Sequence, residues 1–346
     1  MTGTEDGACG GLVCPACRGA LSGSRSALTC QSCGRSFPVD DRIADFAEGR
    51  YVVDHPDPND LSEDARRGMA NENEGRRIED YYLPILRAAG ARRVLDSGCG
   101  NGEAVDVLMG AGFDAWGHDL SAFRKWQWRS RSHPERLVVA DGLKLPFLNG
   151  FFDAVISSGV LEHVGVSERG GPGIYEVSPL PERDERRRAF LAALVRVLAP
   201  GGTLHLDFPN GAFPIDFWHG PTAGGARWHS PVEGFLPTVG EIRRLAARLD
   251  PPFLVFLRSP HRRLRFNQVG AHWYGRLFRA PMAAFYAITA VRGFTWLAGT
   301  VLNPYLVLEI RRAVRAGSAG RCRGAGDPAA LRGDARPPKW PLGARL

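Results

Sequence analysis

The sequence lacks three features, and each absence excludes a class of protein. No apolar run reaches the ~18 residues that a membrane-spanning helix needs, because Arg279, Arg292 and Glu309 interrupt the most apolar segment. Residues 1–11 show no basic start followed by an apolar core, so no secretory signal is expected there. The seven cysteines are too unevenly spread for a disulfide framework. These absences predict a cytoplasmic location, and 346 residues with 44% apolar composition predict one large domain with appendages.

Positive and negative charges are separated along the chain. Residues 258–346 carry 16 Arg and Lys against 3 Asp and Glu, a net charge of +13, whereas the preceding residues have a net charge of −6. The acidic majority disfavours a nucleic-acid-binding protein with charge spread throughout, and the basic end could meet anionic lipid or phosphate. Because Gly, Ala, Arg and Pro predominate at the end, we predict a disordered basic tail over residues 313–346.

Four of the cysteines form two pairs near the start of the chain. Cys14 and Cys17 are followed, after a spacer of twelve residues, by Cys30 and Cys33. Two such turns place four thiolates at tetrahedral corners, as structural Zn²⁺ requires, with no open position for a catalytic water. We therefore predict a zinc ribbon with a folding role over residues 1–48. The polar, acidic residues 49–76 are predicted to form a linker or lid.

Short apolar runs and helical patterns alternate along the middle of the chain. A helical pattern over 77–89, interrupted by Pro84, precedes them. Such alternation predicts a mostly parallel sheet with helices on both faces, whose ligands bind beyond the carboxyl ends of the strands. The predicted strands are 93–96, 114–119, 137–140, 152–157, 203–208 and 253–257, and the predicted helices between them are 103–109, 121–131, 184–198 and 239–249.

Polar residues and glycines follow the predicted strands. The first strand ends at Asp96 and runs into glycines at every second position, which let the backbone approach a ligand closely. Asp119 ends the second strand and Asp141 follows the third. The glycine pattern alone is a weak signal, and any one of these aspartates alone could be a helix cap. Together they predict a nucleotide-like ligand at one rim of the sheet.

These segments resemble class I methyltransferases that use S-adenosylmethionine, of type 11. The resemblance implies a doubly wound, Rossmann-like α/β fold over residues 77–312, with seven mostly parallel strands. The seventh strand, 305–310, would be antiparallel beside the sixth, after a helical insertion over about 264–303. The segment 30–46 also looks like the zinc ribbons that precede some bacterial methyltransferases. The motifs that carry the resemblance are Asp96-Ser97-Gly98-Cys99-Gly100-Asn101-Gly102, Gly117-His118-Asp119-Leu120-Ser121, Ala140-Asp141-Gly142, Leu161-Glu162-His163-Val164 and Leu198-Ala199-Pro200-Gly201-Gly202.

The same resemblance implies S-adenosylmethionine as the cofactor and assigns its contacts. Asp119 would accept hydrogen bonds from the ribose hydroxyls, and Asp141 would accept one from the adenine amino group. The glycines would lie against the methionine part. The cofactor-binding residues implied in this way are Asp96, Gly98, Cys99, Gly100, Gly102, Asp119, Leu120, Asp141, Gly142 and Ser158.

An oxygen acceptor needs a base unless it is already ionised. The candidates are His163, His219 and His229. His163 follows the fourth strand, where substrate-facing residues of this fold lie, and is therefore the predicted catalytic residue.

The insertion over 264–303 combines aromatic residues with arginines. This composition suits either an interfacial helix pair, giving peripheral membrane contact through residues 264–346, or a lid over the substrate pocket.

The leading hypothesis is methyl transfer from S-adenosylmethionine to a small or lipid-linked acceptor, at oxygen. An RNA methyltransferase that docks through its ribbon is less well supported, because the basic residues of the ribbon, Arg18, Arg25 and Arg35 among them, form no basic stripe. A nicotinamide-dependent oxidoreductase would need the wider G-x-G-x-x-G spacing. A non-catalytic cofactor-binding or interaction protein is the remaining alternative, and the sequence does not specify an oligomeric state.

Overall fold

The part of the chain that the structure describes contains fifteen strands and seven α-helices. The computed structural model describes residues 10–52, 74–171, 174–220, 226–260 and 273–313. The strands are β1 (Leu21–Gly23), β2 (Ala27–Cys30), β3 (Ser36–Asp40), β4 (Ile43–Asp45), β5 (Arg93–Ser97), β6 (Asp114–Asp119), β7 (Leu137–Val139), β8 (Phe152–Ser158), β9 (Val166–Gly171), β10 (Ile174–Pro179), β11 (Leu198–Pro209), β12 (Ile215–Asp216), β13 (Arg227–Trp228), β14 (Phe253–Arg258) and β15 (Tyr305–Arg312). The helices are α1 (Glu74–Arg77), α2 (Leu83–Ala88), α3 (Glu103–Gly110), α4 (Ala122–Trp128), α5 (Arg183–Val197), α6 (Val239–Ala247) and α7 (Trp273–Thr289).

The predicted seven-stranded arrangement is confirmed. Along the sheet, the order is β7, β6, β5, β8, β11, β15 and β14. The first five strands are mutually parallel, and β15 runs antiparallel between β11 and β14. Strand order reverses between β5 and β8, and a ligand of a doubly wound sheet binds outside the carboxyl ends of the strands at such a point. The glycine loop after β5 is at this position.

The four cysteine-region strands extend the same sheet, which the sequence did not predict. β4 pairs in parallel with β7, with Ala44 opposite Val138 and Asp45 opposite Val139. The full sheet therefore has eleven strands, from β1 at one edge to β14 at the other. Because parallel strands present their carboxyl ends on the same side, the chain leaves β4 at the rim where the predicted ligand lies.

The predicted helix over 77–89 is divided by a π-helical turn, Ile78–Tyr82, between α1 and α2. Pro84 has no amide hydrogen and its ring clashes with regular α-helical geometry one turn upstream, so the wider turn accommodates it. Ile78 and Tyr82 point into the core and are fully buried. The turn thus places the Tyr82 hydroxyl against the sheet, where it donates a hydrogen bond to Asp207 of β11.

Two further features differ from the sequence-based expectations. β11 begins five residues before the predicted start, because a register irregularity between Leu198 and Thr203 absorbs the Pro200-Gly201-Gly202 segment. β9 and β10 form a hairpin inserted after β8, which was not predicted.

Within the predicted insertion, the structure describes α7 and a 3₁₀ turn, Thr295–Gly299. Residues 264–272 of that insertion, residues 53–73 of the predicted linker and nearly all of the predicted tail lie outside the described residues. No helix within the described ranges has the length and apolar content needed to cross a membrane.

Candidate active site

The loop after β5 has a backbone that only glycine adopts readily. Gly98, Gly100 and Gly102 have φ angles of 72°, 51° and 78°, a region that penalises side chains with a Cβ. A Cβ on Gly100 would meet no atom closer than 3.9 Å, whereas a Cβ on Gly98 would lie 2.3 Å from the Val160 side chain. The loop therefore presents open space at Gly100 and packs at Gly98 against the segment that follows β8.

Cys99 and Gly142, both predicted cofactor residues, also have structural contacts. Cys99 is fully buried, and its Sγ would be 2.8 Å from a Cβ on Gly117. A Cβ on Gly142 would lie 2.6 Å from the Phe190 ring of α5. Because the Cys99 side chain is buried, only its backbone can face a ligand. The lack of a side chain at Gly142 allows α5 to approach the sheet closely.

Asp96 is completely buried and pairs with Arg77, which the sequence analysis had not singled out. The Arg77 Nη2 lies 3.2 Å from Asp96 Oδ2, and both side chains are almost inaccessible to solvent. Removing one partner of a buried ion pair leaves an uncompensated charge, so such pairs are costly to break. The pair joins the segment before β5 to the start of the glycine loop.

Asp119 and Asp141 are partly exposed at neighbouring strand ends. Asp119 Oδ2 accepts a hydrogen bond from the Gly100 amide at 3.1 Å, and its Oδ1 accepts one from Leu120 at 2.7 Å. Asp141 Oδ1 accepts from the Leu143 amide at 2.9 Å. Backbone amides thus fix both carboxylates at the rim, and the predicted rim residues are brought together.

Asp207 organises the rim at β8, β11 and β15 and was not predicted. This buried carboxylate accepts hydrogen bonds from Ser158 Oγ at 2.5 Å, from the Tyr305 hydroxyl at 2.5 Å and from the Tyr82 hydroxyl. The signal was a carboxylate between the apolar residues Leu206 and Phe208 of a predicted strand. Beside it, Ser157 Oγ is buried and has no hydrogen-bond partner among the described residues, as expected for a group that a ligand satisfies.

His163, the predicted catalytic residue, is held by two residues of the unpredicted hairpin. Its Nδ1 is 2.7 Å from Glu168 Oε1, and Glu168 also accepts a hydrogen bond from the Tyr175 hydroxyl. Burial alone would lower the pKa of His163, but the hydrogen bond to Glu168 and the nearby carboxylates raise it above its usual value. The same hydrogen bond keeps the pKa of Glu168 below normal although burial raises it.

His219 lies beside His163 and has its own carboxylate partner. The two ring centroids are 5.1 Å apart, and His219 Nδ1 lies 3.0 Å from Asp216 Oδ2. Burial raises the pKa of Asp216, but the hydrogen bond from His219 and neighbouring charges lower it to about 2. His229 is placed differently, since its Nε2 is buried without a hydrogen-bond partner among the described residues.

Two groups of side chains in the described ranges could hold a metal ion. The ligand atoms of Cys14, Cys17, Cys30 and Cys33 lie within 4.8 Å of one another, with Sγ separations of 3.8 Å for Cys14–Cys33 and 3.4 Å for Cys17–Cys30. Zn–S bonds of about 2.3 Å in a tetrahedron place sulfurs about 3.8 Å apart, so the four cysteines fit zinc. Glu162, His163 and His219 form the second group, a carboxylate with two imidazoles.

Comparison with known families assigns the two parts of the chain separately. Residues 95–206 match the family model for a methyltransferase domain, and residues 12–41 match the model for Trm112p-like protein. The first match spans the glycine loop, Asp119, Asp141 and the end of β8. No curated protein matches the chain.

The chain is also similar to solved structures, of which we describe three. The PH0226 protein from Pyrococcus horikoshii OT3 is 26% identical over 40% of this chain and 57% of its own, with a TM-score of 0.31, so this chain spans little more than half its length. The magnesium protoporphyrin IX methyltransferase from Synechocystis PCC 6803 is 17% identical, over 69% and 80% of the two chains, with a TM-score of 0.37. The CcbJ methyltransferase from Streptomyces caelestis is 16% identical, over 70% and 98%, with a TM-score of 0.43.

The fold and the family match assign a methyltransferase domain to residues 95–206. The N-terminal four-cysteine ribbon fits a structural zinc ion, and S-adenosylmethionine is the cofactor expected for the methyltransferase domain. When bound, the cofactor supplies an electrophilic methyl group on its sulfonium.

Proposed function

We propose that the protein transfers the methyl group to an oxygen atom of a small or lipid-linked acceptor. The observation that carries this proposal is the His163–Glu168 pair beside the rim. A sulfonium methyl needs no activation, so the protein must hold the acceptor in line and remove the proton that an attacking hydroxyl loses. An imidazole oriented by a carboxylate is suited to that task.

In this proposal, the backbone and carboxylates of the rim bind the cofactor without proton chemistry. Asp119 accepts from the ribose hydroxyls and Asp141 from the adenine amino group, while Asp96 keeps the glycine loop in place through Arg77. The open space at Gly100 and the unsatisfied Ser157 hydroxyl support this placement. The proposed cofactor-binding residues are Asp96, Gly98, Cys99, Gly100, Gly102, Asp119, Leu120, Asp141, Gly142 and Ser158.

His163 would act as the general base. Glu168 accepts a hydrogen bond from Nδ1–H, which fixes the tautomer that offers Nε2 as the acceptor. Nε2 would take the proton that the acceptor hydroxyl loses, and the bound cofactor would supply the methyl group. The carboxylates of Glu168, Glu162 and Asp216 then stabilise the imidazolium.

The surface around α7 supports a lipid-linked acceptor and peripheral membrane contact. Leu277, Phe294 and Trp296 are 70%, 50% and 61% exposed, next to Arg279 and Arg292. Exposed apolar and aromatic side chains with interspersed arginines suit the headgroup region of a bilayer.

The same segment is joined to the rim of the sheet. Ser259 Oγ is 2.7 Å from Thr289 Oγ1 of α7, and the Ser259 carbonyl accepts a hydrogen bond from Tyr81 at 3.2 Å. Tyr81 precedes Tyr82, the partner of Asp207. These contacts attach α7 to the segment that carries Tyr82, and they support an acceptor presented from the α7 surface.

The ribbon's contacts weigh against the RNA alternative. Arg18 donates to Asn149 at 2.8 Å, and Arg35 forms an ion pair with Glu48 at 3.1 Å. Arg42 likewise pairs with Glu135 at 3.0 Å. Three of the four ribbon arginines are thus engaged within the chain, and phosphate binding would have to displace those contacts.

The test is transfer of a labelled methyl group from S-adenosylmethionine into fractionated lipid, small-metabolite and RNA pools. We expect label in the lipid or small-metabolite pool, in a product whose methyl carbon has the NMR shift of a methyl ether or ester. Label confined to RNA, or to a methylated nitrogen, would overturn the proposal.

A further inference from the structure

A cavity lies between the zinc ribbon and the rim of the methyltransferase sheet. Its volume is about 110 Å³. One wall consists of Leu120, Asp141 and Lys144, and the opposite wall includes Pro15, Ala16 and Ala47. Leu120 follows β6 and Asp141 follows β7, so the first wall is the place proposed above for the adenosine part of the cofactor.

The position of the second wall follows from strand direction. Because β4 is parallel to β7, the segment after β4 emerges beside the segment after β7. The Phe46 amide donates to the Val139 carbonyl at 2.8 Å, one residue beyond the last strand pair. Ala47, the next residue, is thereby held over the Asp141 side of the rim.

A buried carboxylate holds the chain that continues past Ala47. Asp45 accepts hydrogen bonds from the Ala47 amide at 3.0 Å and from the Tyr51 hydroxyl at 2.7 Å, and it pairs with Lys125 of α4 at 2.7 Å. The Val52 amide then donates to the Leu120 carbonyl at 3.0 Å. The chain leaving the ribbon is therefore attached directly to a residue of the first wall.

The first cysteine pair supplies the rest of the second wall. Pro15 and Ala16 lie between Cys14 and Cys17, within the turn that a zinc ion would fix. This turn is joined to the segment after Asp141, because the Val13 amide donates to the Pro146 carbonyl at 2.8 Å. Two of the four proposed zinc ligands, Cys14 and Cys17, thus flank the Pro15–Ala16 part of the cavity wall.

We infer that the zinc ribbon completes the cofactor site, with the purine of S-adenosylmethionine packed between the Leu120–Asp141 wall and the Pro15–Ala16 and Ala47 wall. This inference rests on the proposed placement of the cofactor. Zinc and the nucleoside then bind with positive coupling, and each raises the affinity for the other by the same factor.

The direct test uses a side chain that fills the cavity from the ribbon side. Ala16 is exposed, so Ala16→Trp has room to fold, and Ala20→Trp makes the same change at an exposed ribbon position outside the cavity wall. In calorimetric titrations of the full-length zinc-loaded chain, we expect Ala16→Trp to raise the Kd for S-adenosylmethionine about tenfold or more, a typical size for coupled sites. Ala20→Trp should leave the Kd near the wild-type value. Zinc content and thermal midpoint are measured for both variants.

The reciprocal test follows zinc itself. Saturating S-adenosylmethionine should slow release of zinc to a chromogenic chelator in the wild type, and this protection should be weaker in Ala16→Trp. Equal loss of affinity in the two Trp variants, or zinc release that does not respond to the cofactor, would overturn the inference.

Asp119→Ala separates the two proposals. If it abolishes cofactor binding while Ala16→Trp binds normally, the ribbon has no part in the site and the proposed function stands. If Asp119→Ala also binds normally, the proposed cofactor placement is itself wrong.

Discussion

The Lys125 ammonium group lies 2.7 Å from the buried Asp45 carboxylate, and it also lies 2.9 Å from Asp40. Lys125 belongs to α4, the helix that follows the Asp119 strand, whereas both aspartates belong to the ribbon region. The contact joins the metal-binding part of the chain to the cofactor side of the sheet. This contact predicts that substitutions in the ribbon affect the cofactor side of the sheet.

Loss of the Asp119 carboxylate should weaken cofactor binding. Because this group is proposed to accept from two ribose hydroxyls, Asp119→Ala should cost about 2–3 kcal/mol, or roughly 30–150-fold in Kd. Calorimetric titration with S-adenosylmethionine measures the change. Asp114→Ala, at the other end of β6, is the matched control and should bind normally, and unchanged affinity in Asp119→Ala would contradict the site.

Removal of the proposed base should reduce turnover without affecting the cofactor. His163→Ala should lower kcat by about 10²–10⁴-fold, with an unchanged Kd for S-adenosylmethionine. His133→Ala, which alters a partly exposed histidine that precedes β7 at the amino ends of the parallel strands, serves as the control. A His163→Ala enzyme with near-normal kcat would exclude the base.

Glu168 should act through His163 and can be tested by the pH profile. The carboxylate raises the pKa of His163, so Glu168→Gln should lower that pKa. Since a base works in its neutral form, the rising limb of kcat against pH should move to lower pH. A lower rate with an unmoved limb would indicate a merely structural role for Glu168.

Metal content should be one zinc per chain, held by the four cysteines. Cys14→Ser combined with Cys17→Ser should remove the zinc and lower the thermal midpoint, because the ribbon strands depend on the metal. Cys99→Ser, outside the cluster, should retain it. Two metal ions per chain, with the second lost in His219→Ala, would place a cation at Glu162, His163 and His219 instead of a free base.

Acid should destabilise the fold through two buried histidines. Burial lowers the pKa of His118 and of His205 to about 4, below the value of about 6.5 for an unfolded chain. Between these values the unfolded state binds more protons, so the free energy of unfolding should fall as pH drops from 6.5 to 4. Each histidine accounts for about 3 kcal/mol. Chemical denaturation measures this free energy of unfolding. In His205→Gln, it should depend less steeply on pH between 4 and 6.5 than in the wild type.

Membrane contact can be tested with liposomes that contain anionic lipid. Trp296→Asp with Leu277→Asp should reduce flotation of the protein, because both side chains are well exposed on the α7 surface. Trp228→Asp changes a side chain that is 77% exposed elsewhere and is the control. Equal flotation of wild type and the α7 variant would favour a lid over a membrane surface.

Local patterns predicted most of the sheet and the position of the rim. Strand periodicity and alternating glycines can be recognised from a few neighbouring residues. The helix predicted over 121–131 is present as α4, and Ser121 caps it, because its side chain accepts a hydrogen bond from the Arg124 amide. The pairing of β4 with β7 could not be predicted, since these strands are more than ninety residues apart and neither carries a local signature of the other.

The chemistry around the site was predicted less completely for the same reason. Asp207 was included in a predicted strand, but its three hydroxyl partners come from distant segments. Glu168 belongs to a glycine-flanked segment that has the composition of a loop. Arg77 shows nothing in sequence that links it to Asp96, and only the fold brings the two together.

The parallel pairing of β4 with β7 has a consequence for handling this protein. A chain shortened to begin after the ribbon would leave β7 as an outer strand whose Leu137, Val138 and Val139 are all apolar. Unpaired amide and carbonyl groups on such a strand recruit other chains. Truncation at the end of the ribbon is therefore expected to yield aggregates. The intact N-terminal region covers the β7 edge and prevents self-association.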